Sequence, residues 1–246
     1  MANGWQTQVY GQKTLDRTAY DAGLRRYMQN IFNTMGGGLA VSGLVAYFVG
    51  MLLDKDSQFF SPSFAQMMLS PFIWVLFIAQ IGLVIFLVAR INRMSMAAAQ
   101  VSFWAYAGLT GLVLSTLFAV YTKGSLAQVF FVTAATFGVT SLYGYVTKRD
   151  LSKLGPVLMM GMIGIVIASV VNIFLKSPAL MFVYSAIGVL VFTGLTAYDT
   201  QKLKEAYDAS YDRSSMGKMV IMGALSLYLD FINLFMMLLN LMGERK

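Results

Sequence analysis

The sequence predicts an all-α integral membrane protein folded as a bundle of seven transmembrane helices. Three observations lead there. Of the 246 residues, 58% are hydrophobic and only 12% charged, about half the charged share of an ordinary soluble domain. Seven apolar runs occur, each near the ~20 residues that a helix needs to cross a hydrocarbon core of about 30 Å. The Lys and Arg residues, finally, crowd onto alternate connections between those runs.

In chain order, residues 1–30 are mostly polar, with no cleavable signal pattern, and form an expected cytoplasmic segment. Within it Arg17, Tyr20, Leu24, Tyr27 and Met28 fall at helical spacing and suit a short interfacial helix. Residues 31–243 hold the seven-helix domain. Its spans are Ile31 to Leu53, Pro71 to Ala89, Met96 to Thr122, Leu126 to Thr147, Leu154 to Leu175, Ala179 to Thr200 and Met219 to Met242. Ser61-Pro62-Ser63, Gly155-Pro156 and Ser177-Pro178 mark boundaries, where a missing backbone donor does least harm. Gly36-Gly37-Gly38 lacks the Lys-Ser/Thr context of a phosphate loop and reads as a closely packed or flexible helix start. The 18 Met are dispersed through the spans as packing residues rather than gathered for a soft metal.

Orientation follows from the retention of positive loops on the cytoplasmic side. The amino-terminal segment and loops two-three, four-five and six-seven carry four, two, three and four basic residues, thirteen in all, against five on the opposite face. The amino terminus is therefore expected inside. The net charge of +7 is then a topology and lipid-contact signal, with no nucleic-acid partner implied.

The chain has no His and no Cys, which excludes Ser-His-Asp and Cys-His catalysis, Cys/His zinc sites, His-ligated haem and thiol redox chemistry. A rhomboid-type protease lacks its His, and a retinal protein lacks a Lys in the seventh span. An aspartyl intramembrane protease lacks the usual Gly before its second Asp, since Leu229 precedes Asp230. The reading is of a non-enzyme without a resident cofactor, whose remaining chemistry is that of carboxylates, hydroxyls, amides, Lys and Arg, so that any metal ion it meets would be a hard one held by oxygens.

Eleven acidic residues are present, and only Asp199 and Asp230 fall in the spans. An Asp at the centre of a membrane helix costs about 2.5–3.5 kcal/mol on insertion scales, so each needs a partner, a proton or a cavity. Ser226, Asn233 and Asn240 share a helical face with Asp230, and that stripe should turn inward. Asp199 stands behind Thr193 and Thr196 at the cytoplasmic end of the sixth span, where simple solvation is an equal alternative. For Asp230 the alternative is a packing hydrogen bond to a neighbouring helix. If the two carboxyls approach, they titrate as a unit and can hold a proton or a cation. At ~1.5 Å per residue, however, Asp199 lies about 30 Å from the outer start of its span and Asp230 about 18 Å from the outer end of its own, a mismatch of about two turns.

The run Phe192 to Lys204, with Tyr-Asp-Thr-Gln-Lys, and the run Ala224 to Gly243, with Leu-Tyr-Leu-Asp-Phe-Ile-Asn-Leu-Phe, closely resemble the Bax inhibitor-1 family, also called the transmembrane Bax inhibitor motif family. Tyr27 to Val49, Asn92-Arg93-Met94-Ser95 and Gly108-Leu109-Thr110-Gly111-Leu112 extend the likeness along the chain. The short tail is similar to bacterial members, which implies a bacterial inner membrane. The resemblance implies a central seventh helix and a pH-dependent calcium leak gated by an aspartate pair, here Asp199 and Asp230, in hydrogen-bonding contact. It also implies an Arg latch on Asp199, matched by Arg93 with Arg90 as a rival. Calcium, as transported ion, would draw further oxygens from water, Ser226, Asn233, Thr196 or backbone carbonyls. Partners on this reading are calcium, protons and the bilayer. The competing reading is a membrane-embedded modulator that binds a membrane protease or a cell-death or stress factor.

Overall fold

The computed structural model describes the backbone of residues 4–246 and the side chains of residues 18–246. Trp5, Lys13 and Arg17, read above as part of the cytoplasmic segment, have side chains outside the described residues. Among the described residues nine α-helices follow one another: α1 (Gly4–Gly50), α2 (Pro62–Met68), α3 (Phe72–Arg90), α4 (Met96–Ser115), α5 (Leu117–Val120), α6 (Lys123–Val146), α7 (Gly155–Leu175), α8 (Pro178–Glu205) and α9 (Arg213–Met242). Seven segments of the described residues are long and apolar enough to cross a membrane: α1 from Thr18, α3, α4 with α5, α6, α7 with the 3-10 turn before it, α8 and α9.

Local chemistry sets the boundaries. Ser95, Thr122 and Ser177 cap the first turns of α4, α6 and α8 by accepting from Ala98, Ser125 and Leu180 amides, and prolines stand in the first turns of α2, α7 and α8. The third predicted span is interrupted. The Ser115 and Thr116 hydroxyls donate to the Leu112 and Val113 carbonyls at 2.6 and 2.8 Å, and this back-bonding at the end of α4 separates it from α5. The expected interfacial helix is not a separate element. α1 runs unbroken through it, and Tyr27 and Met28 are buried in the bundle core.

α9 is the axis. Sixty-one per cent of its spanning window is buried, against 6% for α3 and α7, which flank the bundle as apolar columns. α1 and α4 pack on one side of α9, α6 and α8 on the other, while α3 leans on α4 and α7 on α8. Lipid offers helices no hydrophobic gain from meeting each other, so close approach at small residues and buried hydrogen bonds hold such a bundle. Gly37 seats the Trp104 ring and Gly38 the Phe103 ring, and a Cβ on Gly111 would lie 2.7 Å from the Ser42 carbonyl oxygen. Gly37 and Gly38 are thus a packing surface inside α1, not at its start, while Gly36 faces open space. Beside it the Ser42 hydroxyl donates to the Ala107 carbonyl at 2.7 Å and lies 2.6 Å from the Tyr228 hydroxyl, which ties α1, α4 and α9 together.

At the end opposite the basic loops, Asp54 is 1% exposed and bridges to Lys123 at 3.0 Å and to Lys246. The segment after α9 lies across this end: Thr122 N–H donates to the Glu244 carbonyl at 3.1 Å, Lys246 N–H to that of Val120 at 2.9 Å, and Glu244 N–H to the Ser125 hydroxyl at 2.8 Å. Burial pushes the Asp54 carboxyl up, but hydrogen bonds from Lys246, Lys123 and the Asp56 amide, with the Lys246 charge, bring it down to about 2.

Candidate functional site

The last three turns of α8 place a set of polar groups against α6, α7 and α9. Tyr198 closes on Gly155 of α7. Thr196 is fully buried, and its hydroxyl donates to the Phe192 carbonyl at 2.7 Å, as Thr200 does to that of Thr196. Gln201 clips the α6–α7 connection, with Nε2 donating to the Arg149 carbonyl and Oε1 accepting from Leu151 N–H, both at 2.8 Å. Lys204 donates to the Tyr145 carbonyl at 2.8 Å. The run that suggested a motif is thus largely a clamp that fixes α8 on α6 and α7, and Asp199 is the member that points across to α9.

Asp199 is half-buried and accepts from the Ser226 hydroxyl. It lines a cleft of ≈ 270 Å³ with Tyr27, Lys202, Leu203, Met219 and Ser226. Asp230, one turn further along α9, is 6% exposed, and its Oδ2 is buried with no hydrogen-bond partner. Lys202 shares this cleft with Asp199. Because Ser226 meets Asp199, the two carboxyls differ by about one helical turn in register rather than two. α9 starts at Arg213, six residues before the predicted span, which sets it deeper toward the basic-loop end. No hydrogen bond joins Asp199 to Asp230 among the described residues.

The remaining expected site residues sit as follows. Asn233 donates to the Leu229 carbonyl of its own helix at 2.8 Å. Arg93 and Arg90 are both exposed, and the ion pairs among the described residues involve only Asp54 and Asp56. Arg93 nevertheless belongs to the loop that meets the foot of α9, where Lys218 reaches the Asn92 carbonyl at 3.5 Å and Gly217 faces Met96. Two groups at the cleft were not foreseen. Lys202 follows Asp199 at i+3, a spacing that could have drawn attention to it. Tyr27, with a buried hydroxyl that has no partner, falls both in the interfacial-helix pattern and at the start of the family-like run Tyr27 to Val49, and neither marks it as a group of the cleft.

An enclosed apolar helix that carries a buried acid, a second intramembrane carboxyl against it and a ring of lipid-facing spans define a multi-pass membrane protein with an ionisable interior. Comparison with known proteins gives the family: the model described as "Inhibitor of apoptosis-promoting Bax1" matches residues 24–246, and the chain belongs to this family, the Bax inhibitor-1 family. It is similar to "Inner membrane protein YbhL" of Escherichia coli K12, 48% identical over 92% of this chain and 94% of that one. It is also similar to "Uncharacterized protein RP147" of Rickettsia prowazekii, 42% identical over 95% of this chain and 98% of the other. A third relative, an uncharacterized protein of Borreliella burgdorferi, is 39% identical over 90% of this chain and 93% of its own length. The chain is accordingly a multi-pass protein of a bacterial inner membrane.

Proposed function

We propose that this protein is a pH-sensitive leak for calcium in which Asp199 and Asp230 form the gate. The observation that carries the reading is the Asp230 Oδ2 atom, buried within the bundle without a partner one turn from the Ser226–Asp199 hydrogen bond. A buried carboxylate without a partner is costly, so this position calls for a proton or a cation. With a proton in place the two acids coexist and α8 stays closed on α9. Loss of the proton leaves two like charges a turn apart, which repel and can attract a divalent ion.

The described residues bring no third carboxylate to the pair, and calcium seeks six to eight oxygens. Ser226, Thr196 and Asn233 have acceptor lone pairs to add, with water and backbone carbonyls. A partial ligand set suits an ion in passage. Arg93 would act as latch only after the loop before α4 moves inward, since it is exposed and away from Asp199 in this arrangement. The α9–loop contact through Lys218 and Asn92 supplies a route for coupling that movement to α9.

The test is calcium entry into proteoliposomes over a pH series. The wild-type chain should conduct with a pH-dependent rate, Asp230→Asn should remove most of that dependence, and Asp199→Asn should alter both rate and dependence. Flux and pH response unchanged in both variants would end the proposal.

A further inference from the structure

α1 and α6 both pack on α9 but scarcely on each other. A crevice therefore opens sideways along the bundle, with α9 as its floor. Two cavities occupy it, ≈ 620 Å³ toward the basic loops and ≈ 280 Å³ toward the opposite end, and Phe231 of α9 walls both. Each is far larger than the ~30 Å³ share of a water molecule. The larger one is walled by apolar groups such as Met28, Phe32, Met35 and Phe137.

Polar atoms in the larger cavity are few and ordered by depth. Arg25 and Tyr145 stand toward the basic-loop end, and Gln29 of α1 and Ser141 of α6 each lie one turn deeper. Ser141 is 4% exposed, and its hydroxyl is buried with no partner. Arg25 is exposed and makes no ion pair among the described residues, even with Asp21 one turn earlier on α1. In the smaller cavity the basic residue is Lys123, which is already held by Asp54. Among the described residues, the basic-loop end is therefore the one that offers a cation outside any ion pair above an apolar slot.

We infer that the crevice between α1 and α6 binds one anionic phospholipid of the cytoplasmic leaflet. Arg25 takes the phosphate as a charge-assisted donor, Ser141 donates to the glycerol ester carbonyl, and an acyl chain lies along Met28, Phe32 and Phe137 to reach Phe231. The order of groups, cation at the surface, hydroxyl one turn lower and apolar wall beyond, follows the order of groups along such a lipid. Phe231 is the neighbour of Asp230, so the chain would press on the part of α9 that carries the buried acid. The inference stands on the crevice alone and does not depend on the leak.

The experiment is native mass spectrometry of the full chain released from detergent, titrated with phosphatidylglycerol and phosphatidylcholine of identical acyl chains. One phosphatidylglycerol should be retained, about fivefold more tightly than phosphatidylcholine, the preference that one interfacial basic residue supplies. Arg25→Gln, a change at an exposed position, should bring the two lipids to parity. A Cβ on Gly138 of α6, which lines the cavity, meets no atom within 4 Å. Gly138→Leu should therefore fill the slot and remove retention of both lipids with an unchanged melting temperature. Equal retention of the two lipids by the wild-type chain, an Arg25→Gln ratio like that of wild type, a folded Gly138→Leu chain that still holds its lipid, or a lipid-free dimer would each overturn the inference.

Discussion

Asp54→Asn tests the electrostatic clamp at the end of the bundle opposite the basic loops. The Asp54 carboxyl is held at about 2 against an ordinary 3.8, which at ~1.4 kcal/mol per pH unit corresponds to about 2.5 kcal/mol of folded-state stability at neutral pH. Lys123 is half exposed, so solvent screening reduces this to about 1–2 kcal/mol. For a chain of this size that is roughly 2–8 °C in melting temperature. The sign is fixed by a depressed acid: the contribution is complete above the unfolded value near 3.8 and fades as pH falls from there through 2. Thermal unfolding of wild type and Asp54→Asn in one detergent, followed from pH 7 downward, should therefore give a gap that is flat to about pH 5 and closes below pH 4. Lys246→Ala should remove part of the same gap and add little on top of Asp54→Asn. Identical melting at pH 7, or a gap that widens on acidification, would refute the reasoning.

Two further outcomes concern the clamp between α8 and its neighbours. Gln201→Leu removes both hydrogen bonds to the α6–α7 connection and leaves the amide of buried Leu151 unpaired, a loss of about 1–3 kcal/mol. Hydrogen exchange in residues 147–152 should speed up, and unchanged protection would contradict the assignment. A Cβ on Gly144 of α6 would lie 2.9 Å from the Ala197 Cα of α8, so Gly144→Ala should destabilise by about 1–3 kcal/mol while Gly138→Ala, which faces open space inside α6, should melt at or slightly above wild type. Equal melting of all three chains would show that α6 and α8 are not in backbone contact.

What the sequence made legible follows from the bilayer. Runs near 20 residues are imposed by its thickness, so the spans read correctly except where they meet chemistry that hydropathy ignores. Thr116 ends α4 early because hydroxyls bind back to the backbone, and Tyr27 lies in the core because α1 continues straight through a polar stretch. Asp230 could be placed inside the bundle because lipid gives a carboxyl no partner. Its surroundings could not be read, since the meeting of Ser226 with Asp199 depends on how far α9 slides past α8. Asp54 was passed over for the converse reason: it lies in a connecting loop by sequence, and its burial arises only when residues from α6 and the segment after α9 fold over it. Arg93 shows the same limit, as its loop reaches α9 while its side chain stays in the open.

The enclosure of α9 has a consequence for how the protein is made. This helix leaves the ribosome after the other six spans, yet it is the one they surround, and it carries the acid that is least welcome in lipid. The earlier spans must therefore wait as an incomplete ring with a vacant lane, and the late arrival is admitted by the polar contacts that Ser42 and Asp199 hold ready for Tyr228 and Ser226. The gap between α1 and α6 marks the side on which that ring never fully shuts.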